Sequence, residues 1–372
     1  MDPGLLTTLT HRAMATEFAV MLPACEAPRV DAVLEALEML DSIEAALTVY
    51  RDDSEISQVN QRAAAEPVRV SSETFDLLEK SLRWSRLTDG AFDITAGPLV
   101  QAWGFMSRSG RKPSDEEIQQ ANARVGYQNL ILDHDRQTVR FAKPGMAINL
   151  GAIGKGDALD RLAARLTEKG LRHFLLHGGQ SSVLARGDQQ PIVESDPPED
   201  DDMESDVTTI DSAGTGADKS ESGNAERFGD KERFGDAGRT GRGWAIGISH
   251  PTKPQRRVGG IWLRDAALAT SGSGKQFFHH QGRRYGHVID PRTGYPAGDL
   301  LSLTVVTDSA ADADACATGF FVAGSDAITR ARKQALESEE TSFPKMLGIR
   351  AGKRQDEVHV VTYGDLDWVD AS

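Results

Sequence analysis

The chain has 372 residues, 39% of them hydrophobic, with 56 acidic against 42 basic side chains and a formal net charge of −14. That length allows one large domain or two ordinary ones with ample core, and no apolar run reaches the ~18 residues of a membrane span. Two cysteines far apart, Cys25 and Cys316, give no disulfide framework or zinc spacing, which fits a reducing compartment. The start, MDPGLLTTLTHRAMATEF, lacks a basic segment followed by an apolar core, so neither a signal peptide nor a transmembrane segment is expected and the expected location is cytoplasmic.

The first predicted strand is Glu17 to Leu22. A helix follows over Val30 to Leu47, with Val33, Leu34, Leu37, Leu40, Ile43 and Leu47 as its apolar stripe. Beyond it, Tyr50 is either a structural tyrosine or a ring that stacks on a heterocycle. A second helix is predicted over Ser72 to Leu87. TDGAFDITAGPL, Thr88 to Leu99, is then either a helix exit or a backbone-lined pocket around Phe92 and Asp93. Ser114 starts another helix, because Glu117 three residues on completes a capping box.

Strands are predicted at Asn129 to Asp133 and Thr138 to Phe141, and a helix over Gly156 to Glu168 ends on Gly170. Between them, NLGAIGKG over Asn149 to Gly156 is either a tight turn or a phosphate seat built from free N–H groups at a helix start, with Lys155 adding charge. Further strands fall at Phe174 to His177, Ser182 to Ala185, Trp244 to Ile248, Gly260 to Leu263, Leu303 to Thr307 and His359 to Tyr363. Many of these are joined by short turns rather than helices. This favours an α+β sheet-and-helix fold over a doubly wound one.

The acidity is local. Residues 188–242 hold 16 acidic and 6 basic side chains, leaving 40 acids against 36 bases elsewhere and no basic stripe that would read as a nucleic-acid surface. This segment contains PPEDDDMESD and a duplicated ERFGD, and it has too few apolar residues to offset ordering entropy. It is expected to be a disordered surface insertion between two strands, with Phe228 and Phe234 as its few candidates for docking.

The chemistry concentrates between Thr270 and Thr318, where TSG, HVIDPRTG and ADADACATG hold more small, acidic and hydroxyl residues than core packing requires. In a helix over Asp312 to Phe321, Asp314 and Thr318 stand one turn apart on one face. That pair either shares an oxygen-seeking Mg2+ or is a solvated acid above a back-bonded threonine. Ser271 to Lys275 imitates a P-loop tail, but Ala269 and Gln276 stand where Gly and Ser/Thr have physical tasks, so a P-loop is rejected. His279 and His280, adjacent in a strand, point to opposite faces and do not share a metal.

In order, Met14-Ala-Thr16, VYRDDSEISQVN, TDGAFDITAGPL, NLGAIGKGDALDR, LLHGGQSS, GWAIGI, LATSG, HVIDPRTGYP and ADADACATGFFVAG resemble the ApbE family, the FAD:protein FMN transferases. The resemblance implies one catalytic domain formed by residues 1–187 and 243–372. It also implies Mg2+-dependent transfer of FMN from FAD to a Thr or Ser hydroxyl of an acceptor protein, with release of AMP. By resemblance, Asp314 and Thr318 hold Mg2+ with backbone oxygens of Ala152 and Ala317. Met14, Tyr50, Ala91, Phe92, Asp93, Asn149, Lys155 and His287 line the FAD site, and His287 is the candidate base. The alternatives are an FAD pyrophosphatase, in which water replaces the acceptor, and a non-catalytic flavin-binding protein. The family commonly has Asp where Asn149 stands, and an acidic residue or Asn where Gln180 stands.

Overall fold

In the computed structural model, which describes residues 6–106, 110–191, 241–272, 274, 277–337, 343–352, 354 and 357–369, an eight-stranded sheet separates a helical layer from a strand layer. The chain runs through β1 (Leu6–Ala13), β2 (Thr16–Pro23), α1 (Val30–Leu47), α2 (Glu55–Arg62), β3 (Val68–Arg69), α3 (Ser72–Leu87), α4 (Gly97–Ala102) and α5 (Asp115–Asn122). It continues through β4 (Leu130–Asp133), β5 (Thr138–Phe141), α6 (Gly154–Glu168), β6 (Phe174–Gly178), β7 (Ser182–Arg186), β8 (Trp244–Ser249), β9 (Arg257–Leu263) and β10 (Ala266–Gly272). The last elements are β11 (Phe277–His280), β12 (Arg283–Gly286), β13 (Ser302–Thr307), α7 (Ala310–Ala323), α8 (Ser325–Glu337), β14 (Lys345–Ala351) and β15 (Val358–Tyr363).

The main sheet has the order β1-β2-β6-β7-β10-β13-β14-β15, and each neighbouring pair is antiparallel. Its central strands are apolar on both faces, because both faces are covered. Leu176, Leu184, Ala269, Leu303 and Val305 point to the helical layer, while Leu175, Val183, Leu268, Leu347 and Ile349 pack on the β8–β9 hairpin. A third apolar cluster around Leu99, Trp103, Ile118, Tyr285 and Ile289 joins α4, α5 and the β11–β12 hairpin.

The predicted bounds of α1 and α3 are reproduced, as is the Ser114–Glu117 capping box. On α1 the stripe is corrected at one position. Leu34 is 49% exposed, because it lies 100° round the helix from Val33, and Ala36 takes its place in the core.

A larger correction concerns α7. Its small residues do have a packing reason: Ala310, Ala311, Ala313, Ala315, Cys316 and Ala317 are fully buried between the sheet and α6. What packing does not require on this helix is Asp314 and Thr318. Cys25 and Cys316 are free thiols, and no described helix is long and apolar enough to cross a membrane.

The 188–242 segment leaves and re-enters the fold at a closed neck. Gly243 N–H donates to the Asp188 carboxylate at 2.8 Å, Gln189 N–H to the Gly243 carbonyl at 3.1 Å, and the Trp244 indole to the Arg186 carbonyl at 3.1 Å. Residues 192–240, with Phe228 and Phe234, lie outside the described residues. The neck's bonds close without them, and loop-closure entropy grows only slowly with length. Replacing residues 192–239 by a short Gly-Ser linker is therefore expected to move the melting temperature by less than about 2 °C in calorimetry, equivalent to about 1 kcal/mol. A much larger fall would mean that the insertion packs on the domain.

Candidate active site

The site begins where α6 meets α7. These helices run antiparallel and are pressed together at Gly156: a Cβ there would sit 2.2 Å from the Ala310 carbonyl oxygen. Only a residue without a side chain allows that approach. It brings the Gly156 N–H within 2.8 Å of Asp314 Oδ2. The fully buried Ser182, from the first position of β7, donates its hydroxyl to Asp314 Oδ1 at 2.6 Å. Lys155 Nζ lies 3.7 Å from the same carboxylate. Burial pushes the Asp314 carboxyl up from its ordinary range, opposed by Lys155 and the two hydrogen bonds.

This arrangement bears on the two readings of the Asn149 to Gly156 run. The N–H groups at the start of α6 do not form an open anion seat, because Gly154 and Asp157 donate to the Leu150 and Ile153 carbonyls and Gly156 donates to Asp314. The Asp314 carboxyl group, an internal acceptor, thus occupies the place at the helix N-terminus that an external anion would take. Of the two readings of Asp314, the solvated acid is excluded, since the residue is only 6% exposed and serves as an internal acceptor.

One turn along α7, the Thr318 and Ser271 hydroxyls are 2.9 Å apart. The next residue, Gly319, packs against Thr88 and Phe92; a Cβ there would lie 3.0 Å from Phe92 Cβ. Ala91 and Phe92 are buried. Asp93 spends both carboxylate oxygens internally, on the Thr95 N–H and hydroxyl at 2.7 Å each and the Tyr127 N–H at 2.8 Å. Burial pushes this carboxyl up, against those hydrogen bonds. Its observed role is to fold the floor of the 88–99 segment.

Asn149 docks on that floor through its N–H, 2.8 Å from the Ile94 carbonyl, while its Oδ1 accepts from Gly151 N–H at 2.9 Å. An Asp oxygen could make the same turn, so this hydrogen bond gives no structural reason for the amide. Ala152 follows in the loop leading into α6. Ala317 lies inside α7, where its carbonyl belongs to the helical ladder.

Met14 and Ala15 form the two-residue connection between β1 and β2, with φ of 52° and 57°. Such turns usually use Asn-Gly, and a side chain in this region costs roughly 1–2 kcal/mol per residue. The strained turn places Met14 Cε 3.4 Å from where a Gly154 Cβ would be, beside Leu47. Tyr50 is 73% exposed and its hydroxyl reaches the Met106 carbonyl at 3.5 Å. His287 is half-buried, with its ring edge-on to Phe105 at 6.3 Å. The structure thus gathers Met14, Lys155 and Asp314 at the α6 start and sets Phe92 against Gly319, the residue after Thr318, while the Tyr50 hydroxyl and the His287 ring face the 105–106 segment. A cleft of about 690 Å³ lined by Lys80, Asp160, Thr167, Arg186 and Ser309 includes none of these residues.

Sequence reasoning passed over Ser182, Ser271 and Gly156 as members of the site. Each lies in a motif it had singled out, but no local pattern says that Ser182 faces a residue 132 positions away.

Asp157, next to Gly156, is pushed up to about 6 by burial, against the pull of Arg161 at 2.8 Å. That contact has ion-pair distance but not hydrogen-bond alignment. Because the folded pKa exceeds the unfolded one, the contribution of Asp157 to stability is complete below about pH 4 and is lost as pH rises through about 6. The shift corresponds to about 3 kcal/mol. Asp157→Asn is expected to remove this dependence and raise the melting temperature at pH 8 relative to pH 4, with Arg161 retaining the Glu73 carbonyl at 3.2 Å. Parallel pH–melting curves for the two proteins would contradict it.

An antiparallel sheet with a helical layer on one face, and a carboxylate sealed where two of those helices meet under a glycine-rich turn, define an α+β protein with a polar site built around one buried acid. The chain belongs to the ApbE family, whose profile matches residues 14–237 and 228–340. It is similar to the FAD:protein FMN transferase of Escherichia coli strain K12, at 29% identity over 326 residues that cover 86% of this chain and 79% of the relative. A Vibrio cholerae enzyme of the same name is 30% identical over 292 residues, covering 77% and 72%. The ApbE protein from Thermotoga maritima superposes with a TM-score of 0.70 at 27% identity, covering 93% of this chain and 94% of that one. The flavin transferase ApbE from Vibrio cholerae does so with 0.69 at 26%, covering 96% and 97%.

Proposed function

We propose that this protein is an FAD:protein FMN transferase that moves FMN from FAD to a Thr or Ser hydroxyl of an acceptor protein, with Mg2+ held by Asp314 and Thr318. The observation that carries the reading is the oxygen-rich wall of α7, in which a buried carboxylate and a hydroxyl one turn apart are backed by Ser182 and Ser271. Carboxylate and hydroxyl oxygens suit a hard cation, and Lys155 is the only cationic side chain with a described ion pair to Asp314. The donor set fits the metal, with the Ala152 carbonyl as a further oxygen. Bound there, Mg2+ would neutralise charge on the pyrophosphate.

In the transfer, the acceptor oxygen forms a bond to the phosphorus of the FMN half, the pyrophosphate P–O bond breaks, and AMP leaves. His287 is assigned the hydroxyl proton, because an imidazole suits proton removal near neutrality. Lys155 supports phosphate charge, and Met14, Phe92 and Asn149 contribute shape and backbone. Tyr50, exposed beside Met106, offers its ring face to the flavin. Such chemistry needs charge neutralisation and in-line positioning more than covalent help.

The test is incubation with FAD, MgCl2 and a candidate acceptor, read by mass spectrometry. A gain of one FMN on the acceptor, with AMP released, is the expected result. FMN and AMP formed without acceptor would replace transfer by hydrolysis, and tight FAD binding with no turnover would leave only a flavin-binding protein.

A further inference from the structure

Asp160 sits four residues after Gly156, on the same face of α6. Its carboxylate accepts from the Ala310 N–H at 2.7 Å, the Ala311 N–H at 3.0 Å and the Ser309 hydroxyl at 2.7 Å. The first N–H groups of a helix are ordinarily satisfied by its own N-cap or by water. In α7 the cap Ser309 accepts the Asp312 N–H through its side chain, and Asp160 of another helix accepts those of Ala310 and Ala311.

The consequence is a two-rung ladder between antiparallel helices. At one rung Gly156 N–H donates to the Asp314 carboxylate, and one turn away the Asp160 carboxylate accepts from Ala310 and Ala311. Donor and acceptor swap helices between rungs, so sliding α7 along α6 breaks both. The side of α7 facing α3 is pinned as well, by the Trp84 indole on Asp312 Oδ1 at 2.6 Å and by Lys80 on Ser309 at 3.2 Å.

We infer that Asp160 is a positioning residue that sets the register of α7 against α6 and thereby aims Asp314 and Thr318 for the cation. The inference rests on the reading of Asp314 as a metal ligand. Asp160 touches neither the cation nor the flavin; it acts through the helix it caps. Partners that orient a metal ligand typically account for roughly 10–100-fold in metal affinity.

The test is Mn2+ binding followed by electron paramagnetic resonance without turnover, on wild type, Asp160→Asn, Ser309→Ala and Asp314→Asn. Asp160→Asn keeps the side chain's size but turns an NH2 toward the α7 amides. Its expected result is Mn2+ binding weakened about tenfold or more, with faster amide exchange at Gly156 as well as at Ala310 and Ala311. Ser309→Ala, which spares the two N–H bonds to Asp160, is expected to weaken Mn2+ binding less than threefold and guards against a variant that fails to fold. Unchanged Mn2+ affinity in a folded Asp160→Asn, beside lost affinity in Asp314→Asn, would overturn the positioning role alone. Unchanged affinity in Asp314→Asn would overturn the metal reading beneath it.

Discussion

Asp314→Asn is expected to lower FMN transfer by roughly 10²–10³-fold while the protein stays folded. The exchange is nearly isosteric, and the amide oxygen can still accept from either Gly156 N–H or the Ser182 hydroxyl, whose distances to the carboxylate are 2.8 and 2.6 Å. What disappears is the negative charge. Burial pushes the Asp314 carboxyl up, opposed by Lys155, the Ser182 hydroxyl and the Gly156 N–H; because the amide offers one oxygen, one of the two donors loses its acceptor, and the expected stability cost is about 1–3 kcal/mol.

Asp314→Ala is a poorer probe. It would leave a buried N–H and a buried hydroxyl unpaired, at about 1–3 kcal/mol each, and would mix folding with chemistry. The measurement for Asp314→Asn is transfer rate against MgCl2 concentration, beside a melting curve. Wild-type transfer would remove Asp314 from the site, and a collapsed melting curve would make it a structural acid.

The parts of the fold legible in the sequence were those written locally. α1 and α3 were bounded by helical periodicity, α5 by the Ser114–Glu117 box, and β5 by alternation. β10 was not legible. Its AALATSG has little intrinsic strand preference, and it is a strand because β7 and β13 pair with it on either side. β1 was missed because the turn after it uses Met14 and Ala15 at positive φ rather than the Asn-Gly that marks such hairpins.

The candidate site divides in the same way. The spacing of Asp314 and Thr318 is local and could be read directly. The internal use of the Asp93 carboxylate and of the α6 N-terminus depends on partners remote in sequence. The alanines around Asp314, counted as a functional signal, belong to packing, which leaves the acid as the anomaly to explain.

Packing also makes Gly156→Ala the most destructive small substitution expected here. Alanine is the better helix former by about 1 kcal/mol, so local propensity alone predicts stabilisation. Against it, the new Cβ would meet the Ala310 carbonyl oxygen at 2.2 Å, its carbon at 2.4 Å and Ala311 N at 2.5 Å. All three are backbone atoms of a buried helix and cannot turn aside, so α6 and α7 must separate. Overpacking of this kind typically costs about 1–3 kcal/mol, sometimes more, and here separation also lengthens the Gly156–Asp314 and Asp160–Ala310 bonds. Steric cost and lost bonds together exceed the propensity gain. The expected result is a fall of roughly 5–10 °C in melting temperature for a domain of this size, accompanied by loss of transfer. Gly154→Ala is the control: its Cβ would meet only the Met14 Cε at 3.4 Å and two leucine carbons at 3.9 Å, so its melting temperature should stay within about 2 °C of wild type. Equal melting temperatures for Gly156→Ala and Gly154→Ala would mean that the two helices are not in the contact that aims Asp314.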